Sequence, residues 1–274
     1  MTLWVDEDFR REMGFTTPRM SDFFAIEGEV FREPAGSNRR TLRFECGGRG
    51  YFLKLHWGVG WREIFKNLLS LKAPVLGARN EWQAIQRLTE LGVETMQLVA
   101  YGEAGMNPAT RRSFVVTREL ESTISLEDYC ADWVREPPPA PVKWVLIDRV
   151  AEMTAALHAT GMNHRDLYIC HFLLQQPWLG PDESLHLHLI DLHRMQFRDR
   201  VPRRWLVKDL AALYFSALHI GLTRRDLYRF IRQYAGGRLR DELRNNAALW
   251  RQVSDRAWHL QDTKPVVAEV PPRG

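Results

Sequence analysis

His164-Arg165-Asp166-Leu167-Tyr168 follows a long apolar helical pattern, and 25 residues after Asp166 comes Asp191, in Leu189-Ile190-Asp191-Leu192-His193. The first stretch sets a carboxylate in a loop just past a helix, where it can align a substrate hydroxyl and take its proton. The second ends a short apolar strand on an acid with no apolar surface to gain, which suits a ligand for a hard cation. A base that aims a nucleophile and a cation that neutralises neighbouring oxygens are the two needs of phosphoryl transfer. His-Arg-Asp alone fits any turn of that composition, and the plainer reading of Asp191 is a helix cap or turn acid. Their weight comes from what precedes them.

Lys54 lies inside the apolar run Tyr51-Phe52-Leu53-Lys54-Leu55-His56. A charge in so apolar a strand needs a partner, and Glu81, 27 residues on at the start of the next strong helix, is the natural one. In protein kinases such a pair aims the lysine at the nucleotide phosphates, and the two later aspartates occur in the same order. The plainer reading is an edge-strand lysine with a solvated head and an unrelated helix glutamate.

Elements can be placed around these residues. Gly47-Gly48-Arg49-Gly50 reads as the turn of a hairpin between Phe44-Glu45-Cys46 and Tyr51–His56. A second hairpin joins Glu29–Arg32 to Arg40–Phe44, and the periodicity predicts a helix from about Ala78 to Leu91, stopped by Gly92. Strands are expected over Met96–Tyr101 and Ser113–Thr117. Beyond Glu119 the pattern turns helical. Ser125 opens a helix, and Pro137–Pro141 is expected as an exposed connector too stiff and donor-poor for a helix. A buried helix is predicted over Val142–Thr160, short strands over His171–Leu174 and Leu185–Ile190, and helices over Trp205–His219, Thr223–Tyr234 and Arg240–Leu260. Strands first and helices later give an α+β, two-lobed, protein-kinase-like fold: a small β-rich N-lobe over residues 1–119, a helical C-lobe over 120–264 and a flexible tail over 265–274.

The details depart from protein kinases. His171 stands where an asparagine holds the second cation, so it is a candidate metal contact of different chemistry. No Gly-x-Gly-x-x-Gly occurs; Gly36 and Ser37 in the first hairpin turn are the candidates for backbone contact with phosphate. Glu119, at the junction of the halves, joins Lys54 and Glu81 in the expected nucleotide site. Asp209 either braces the catalytic loop from the next helix or is a surface acid paired with Lys208. With no Ala-Pro-Glu or phosphorylatable loop after Asp191, a small-molecule or glycolipid acceptor fits better than a regulated protein substrate.

Charge narrows the partners. Residues 192–251 carry 14 Lys/Arg against five acids, a surplus of +9 in a chain of net charge +4. Such a segment suits a polyanion, phosphorylated lipid or an acidic protein, and no nucleic-acid-reading motif is present. Arg203, Arg204, Arg224 and Arg225 are the candidate substrate contacts. Cys46, Cys130 and Cys170 are scattered without Cys-x-x-Cys spacing, as expected of inert thiols in a reducing cytoplasm. No apolar run is long enough to span a bilayer, and the acidic start is no secretory signal. Residues 57–69 have apolar side chains at helical spacing with basic neighbours, so they either pack on the N-lobe or seat in a membrane interface.

His164–Leu174, Ile190-Asp191-Leu192-His193-Arg194, Lys54 and Asn80-Glu81-Trp82 together closely resemble the lipopolysaccharide core heptose(I) kinase family (the WaaP type), from about residue 20 to 262. His171 belongs to that family's pattern. The resemblance implies a phosphotransferase that uses ATP and Mg²⁺ to phosphorylate the first heptose of the lipopolysaccharide inner core. It also implies a cytoplasmic enzyme, peripheral on the inner membrane, that meets a lipid-linked acceptor there. By position, Asp166 is then catalytic with Arg165 beside it, Asp191 the Mg²⁺ ligand, Lys54 the phosphate-binding lysine and Glu81 its partner. The alternatives are a kinase of the core keto-sugar acid or another small molecule, and a kinase-fold binding protein without catalysis.

Overall fold

The computed structural model describes residues 1–33, 38–58, 60–61, 77–107 and 109–263. Gly36, Ser37, most of the 57–69 segment and the 265–274 tail lie outside the described residues. The chain forms two compact units. Unit 1 takes the described residues of Met1–Thr123 and, from much later in the chain, His188–Met195; unit 2 takes Ile124–Leu187 and the described residues from Gln196 on.

Unit 1 is built on six antiparallel strands: β1 (Thr2–Val5), β2 (Glu29–Arg32), β3 (Arg39–Cys46), β4 (Arg49–His56), β5 (Leu98–Ala104) and β6 (Arg112–Arg118), in the order β1-β5-β6-β4-β3-β2. The β3–β4 hairpin closes on Gly47 and Gly48, both at positive φ, the two-residue turn whose twist matches its strands. Alternation along β4 then sorts its side chains. Tyr51, Leu53 and Leu55 enter an apolar core with Phe114 and Val116 of β6, Phe9 of helix α1 (Glu7–Glu12) and Phe23 of helix α2 (Met20–Phe24). Phe23 stacks on Phe114 at 4.1 Å between centroids. Phe52, Lys54 and His56, one residue out of step, belong to the opposite face. Helix α3 (Arg79–Glu90) packs on that face through Trp82, which stacks on Tyr101 at 4.5 Å.

The chain continues through β7 (Thr123–Ser125), α4 (Leu126–Tyr129), α5 (Ala140–Ala159), β8 (Met162–Asn163), β9 (Phe172–Gln175), β10 (Leu187–Leu189) and β11 (Gln196–Phe197). Helices α6 (Arg203–Ser216), α7 (Arg224–Tyr234), α8 (Leu239–Asn245) and α9 (Ala247–Thr263) follow. In unit 2, α6 packs on α9 through Leu210, Ala211, Leu249, Val253 and Ala257, while Met162 and Asn163 pair with Phe197 and Gln196 and so join the two ends of the 164–195 stretch.

Several expectations are corrected. The N-terminal β1, α1 and α2 were not anticipated, although Asp6 accepts from the amides of Asp8 and Phe9 as an ordinary cap. The proline run is not wholly a connector: α5 begins at Ala140 and takes Pro141 into its first turn, where the missing N–H would have had no partner anyway. Arg240–Leu260 is two helices, broken at Asn246 (φ −118°, ψ 19°), a residue type that competes with helical bonding. His171 ends a 3₁₀ turn (Ile169–His171) rather than opening a strand.

Candidate active site

Unit 1 carries one group of candidates. Because β4 alternates, Lys54 points to the α3 side, and its Nζ meets Glu81 Oε1 at 2.5 Å. Glu81 is 1% exposed and Lys54 25%, so the carboxylate is held out of water by its lysine while the ammonium keeps an outlet. Next on this face, His56 is buried; burial first, then the positive charges of Arg39, Lys54 and His193, pull it down to about 3. It is a neutral imidazole at physiological pH. Helix α3, which carries Glu81, packs against the 3₁₀ turn Leu192–Arg194 that follows Asp191.

That turn is tied into unit 1 by main-chain bonds. Leu189 donates its N–H to the Glu94 carbonyl (2.9 Å), and the Thr95 hydroxyl donates to the Leu189 carbonyl (2.6 Å). Asp191 itself adopts the left-handed conformation (φ 60°, ψ 47°), tolerated by Asp better than by most residues. It stands where a cap to the 3₁₀ turn Leu192–Arg194 would stand, yet makes no capping bond. Its Oδ1 lies 2.6 Å from His193 Nδ1, so the imidazole N–H donates to the carboxylate and fixes its direction. Among the described residues no three His, Cys, Asp or Glu side chains converge as a metal cage. Mg²⁺ in phosphoryl transfer needs none, because one or two carboxylates, phosphate oxygens and water complete its shell. The hard oxygens of Asp191 fit that requirement.

Unit 2 carries the second group. Arg165 sits at φ 76°, a conformation a bulky side chain adopts only where its surroundings enforce it. Asp209 does so. Its carboxylate, with no exposed surface, accepts the His164 N–H (2.6 Å) and the Arg165 N–H (2.9 Å). Of the two readings open for Asp209, the structure gives the brace and not the surface pair. Behind it, His158 Nε2 is 3.6 Å from Asp209 Oδ2 and His158 Nδ1 is 2.8 Å from the Tyr234 hydroxyl. The Tyr234 phenol is raised by burial and then by the negative charges of Glu242 and Asp209. His171 Nδ1 lies 2.7 Å from the Asp166 carbonyl, so its Nδ1–H donates to that oxygen. His171 thus ties its imidazole to the backbone of Asp166.

Other expected residues are dispersed. The Glu119 carboxylate is engaged by Arg43 (2.8 Å), and its amide by the Gly50 carbonyl (2.9 Å). Arg203 and Arg204 open α6, whereas Arg224 and Arg225 open α7, and no hydrogen bond or ion pair among the described residues joins the two pairs. An apolar cavity of about 240 Å³ lies within unit 2 among Leu146, Leu213, Tyr214, Leu227, Phe230 and Trp250; of the candidate residues only Arg224 lines it. His193, visible in the chain as Leu192-His193 in place of Phe-Gly after the aspartate, was given no role there, and nothing pointed to His158.

A buried lysine–glutamate pair on an antiparallel sheet with one helix, and a braced His-Arg-Asp loop in a helical unit, define a protein-kinase-like phosphotransferase. Residues 21–234 match the family model described as lipopolysaccharide kinase (Kdo/WaaP). Two relatives described as lipopolysaccharide core heptose(I) kinase WaaP are 55% identical (Escherichia coli; 86% of this chain, 89% of the relative) and 52% identical (Pseudomonas aeruginosa; 96% and 97%). A solved structure described as WaaP in complex with acyl carrier protein superposes with a TM-score of 0.81 at 47% identity, covering 95% of this chain and 99% of that one. The chain belongs to the lipopolysaccharide kinase (Kdo/WaaP) family, and as a kinase it takes its phosphoryl group from ATP.

Proposed function

We propose that this kinase transfers the γ-phosphate of ATP to a hydroxyl of the first heptose of the lipopolysaccharide inner core. The acceptor is inferred from the relatives, 52–55% identical and described as heptose(I) kinases. The observation that carries the chemistry is the Lys54–Glu81 pair. Burying a carboxylate at 1% exposure costs several kcal/mol that an apolar residue would spare. The cost is explained when Lys54 must be aimed at phosphate oxygens.

In this reading Asp166 aligns the sugar hydroxyl and takes its proton late in the reaction, with Arg165 beside it in the loop. Lys54, held by Glu81, binds the nucleotide phosphates. Asp191 holds Mg²⁺, which when bound neutralises the phosphate oxygens; His171 Nε2 is the second candidate ligand, supported by the proton its Nδ1 gives the Asp166 carbonyl. Gly36 and Ser37 are the candidates for backbone contact with phosphate, and Glu119 contributes its main-chain carbonyl, since its carboxylate is engaged by Arg43 and its N–H by Gly50. Arg203, Arg204, Arg224 and Arg225 serve the acceptor, lipid-linked at the cytoplasmic face of the inner membrane. No helix among the described residues is long and apolar enough to cross a membrane. The +9 segment suits an acidic protein partner as well, and an acyl carrier protein is the candidate, because the solved structure at 47% identity is described as a complex with one.

Transfer of γ-phosphate from ATP·Mg²⁺ to dephosphorylated inner-core lipopolysaccharide tests the proposal, with Asp166→Ala alongside. Phosphate on heptose, abolished in the variant, is the expected result. Transfer to the keto-sugar acid instead moves the acceptor, and ATP-binding protein that phosphorylates neither leaves a binding protein.

A further inference from the structure

His158, in the last turn of α5, is buried with 3% of its side chain exposed. Its two ring nitrogens face different helices. Nδ1 lies 2.8 Å from the Tyr234 hydroxyl of α7, and Nε2 lies 3.6 Å from Asp209 Oδ2 of α6. That carboxylate oxygen is also the one that accepts the His164 N–H, while Oδ1 accepts the Arg165 N–H. Nε2 makes no hydrogen bond among the described residues, so electrostatic attraction across 3.6 Å ties the imidazole to the brace.

The phenol decides which nitrogen carries the proton. Burial first, then the negative charges of Glu242 and Asp209, raise the Tyr234 hydroxyl above its ordinary range, so it keeps its proton and can donate it. Donation to Nδ1 leaves the imidazole N–H on Nε2, facing the carboxylate. The opposite neutral tautomer would set the Nε2 lone pair against Asp209 Oδ2, in a site with no exposed carboxylate surface where repulsion is poorly screened. A doubly protonated ring also turns an N–H to Asp209. Tyr234 is itself aimed by its neighbours. Its ring stacks on Phe230 at 6.0 Å between centroids and meets Trp250 edge to face at 5.7 Å, and Trp250 Nε1 donates to Glu242 Oε1 (2.8 Å). A line of contacts therefore runs from α8 and α9 through Tyr234, His158 and Asp209 to the amides beside Asp166.

We propose that Tyr234 is a positioning residue for phosphoryl transfer: its hydroxyl orients His158 so that Nε2–H steadies the Asp209 carboxylate, which holds the His164 and Arg165 amides and, through them, Asp166. The inference rests on the phosphotransferase reading and deepens it, because it assigns a share of turnover to a residue of α7 two side chains removed from the loop. Without the phenol, Asp209 still accepts both amides, but the imidazole is free to turn and the carboxylate loses its fixed direction. The loss falls on the aim of Asp166 more than on folding.

The test compares wild type with Tyr234→Phe, His158→Gln, His158→Leu and Tyr234→Phe/His158→Leu. Steady-state transfer and Tm are measured, together with amide hydrogen exchange and long-range ¹H–¹⁵N NMR of the histidine rings without substrates. Tyr234→Phe should lower kcat about tenfold, with the KM for ATP and for acceptor within about twofold and Tm within about 4 °C. His158→Gln, which can keep a donor toward Asp209, should retain more kcat than His158→Leu. In the His158→Leu background Tyr234→Phe should cost no further kcat, since the phenol has nothing left to orient. Exchange of the His164 and Arg165 amides should quicken about fivefold or more in Tyr234→Phe while amides elsewhere in unit 2 keep their rates, and wild-type His158 should carry its proton on Nε2. Unchanged kcat and exchange in Tyr234→Phe, additive kcat losses in the double variant, uniform quickening across unit 2, or a neutral ring protonated on Nδ1 overturns the proposal. Local quickening in a protein that transfers no phosphate upholds the coupling while refuting the kinase reading.

Discussion

Asp209→Asn is a stringent perturbation, because it preserves shape and removes one acceptor. The carboxylate takes the His164 and Arg165 amides at 2.6 and 2.9 Å in a site with no exposed surface. An amide can satisfy one of them and must turn its NH₂ toward the other. One charge-assisted bond worth about 1.5–3 kcal/mol is lost, and a buried N–H facing a donor costs about 1–3 kcal/mol more. Part is recovered as Arg165 relaxes from φ 76°. The net expectation is a loss of about 3–5 kcal/mol, seen as a drop of about 10 °C in Tm by circular dichroism. Relaxation of Arg165 also displaces Asp166, and a displacement of about 1 Å costs on the order of 100-fold in kcat. The KM for ATP should stay within threefold, since Asp209 touches only the loop backbone and His158. A Tm within 2 °C of wild type would refute the brace, and a large rise in the KM for ATP with normal kcat would refute its role in positioning Asp166.

Three further outcomes follow from the geometry. Lys54→Met should cost about 2–3 kcal/mol in urea denaturation, less than a fully buried pair because Lys54 is 25% exposed; adding Glu81→Leu should recover most of it, and a double variant less stable than Lys54→Met would contradict the origin assigned to the loss. His56 is held at about 3 against an ordinary 6.5, so below pH 6.5 the unfolded chain takes a proton the folded one refuses. Its stabilisation is complete above pH 6.5 and falls as pH drops toward 3, by about 2 kcal/mol between pH 7.5 and 5.0; His56→Gln should lack that portion of the wild-type decline in denaturation curves at the two pH values. Gly161→Ala should destabilise by about 3 kcal/mol or more, because φ is +77° and a Cβ would fall 1.7 Å from the Arg198 carbonyl oxygen; an unchanged Tm would show that β11 moves aside freely.

What the sequence exposes and what it hides have physical causes. β4 and α3 were legible because alternation and 3.6-residue periodicity are local, and Lys54 with Glu81 stood out as charges in apolar surroundings. Asp166 and Asp191 stood out as candidates through their neighbours in the chain. Asp209 remained ambiguous because a helix acid beside a lysine is usually solvated, and only the fold reveals that the His164 and Arg165 amides approach it. The α8–α9 break escaped because asparagines inside a polar helix lower its propensity by tenths of a kcal/mol, too little to fix a boundary. The Arg-rich segment was visible as charge, but charge carries no geometry. Only the structure separates Arg204, against the Trp205 indole, from Arg224 and Arg225 on another helix.

Arg165 and Asp191 share an expensive conformation, and that bears on how the chemistry is held. Each is a non-glycine residue at positive φ, at or next to a candidate carboxylate, and each is fixed from outside its own loop. Arg165 is held by two amide bonds to Asp209; Asp191 follows a strand pinned by Glu94 and Thr95 and is steadied by His193. Such strain, on the order of 1–3 kcal/mol apiece, persists only where the surroundings over-determine it. Glycine at 165 would relieve the strain and loosen the backbone next to Asp166, whereas glycine at 191 would remove the carboxylate itself. The chain thus spends stability to hold the backbone at two candidate acids, a cost that the proposed kinase chemistry explains and a purely binding role does not.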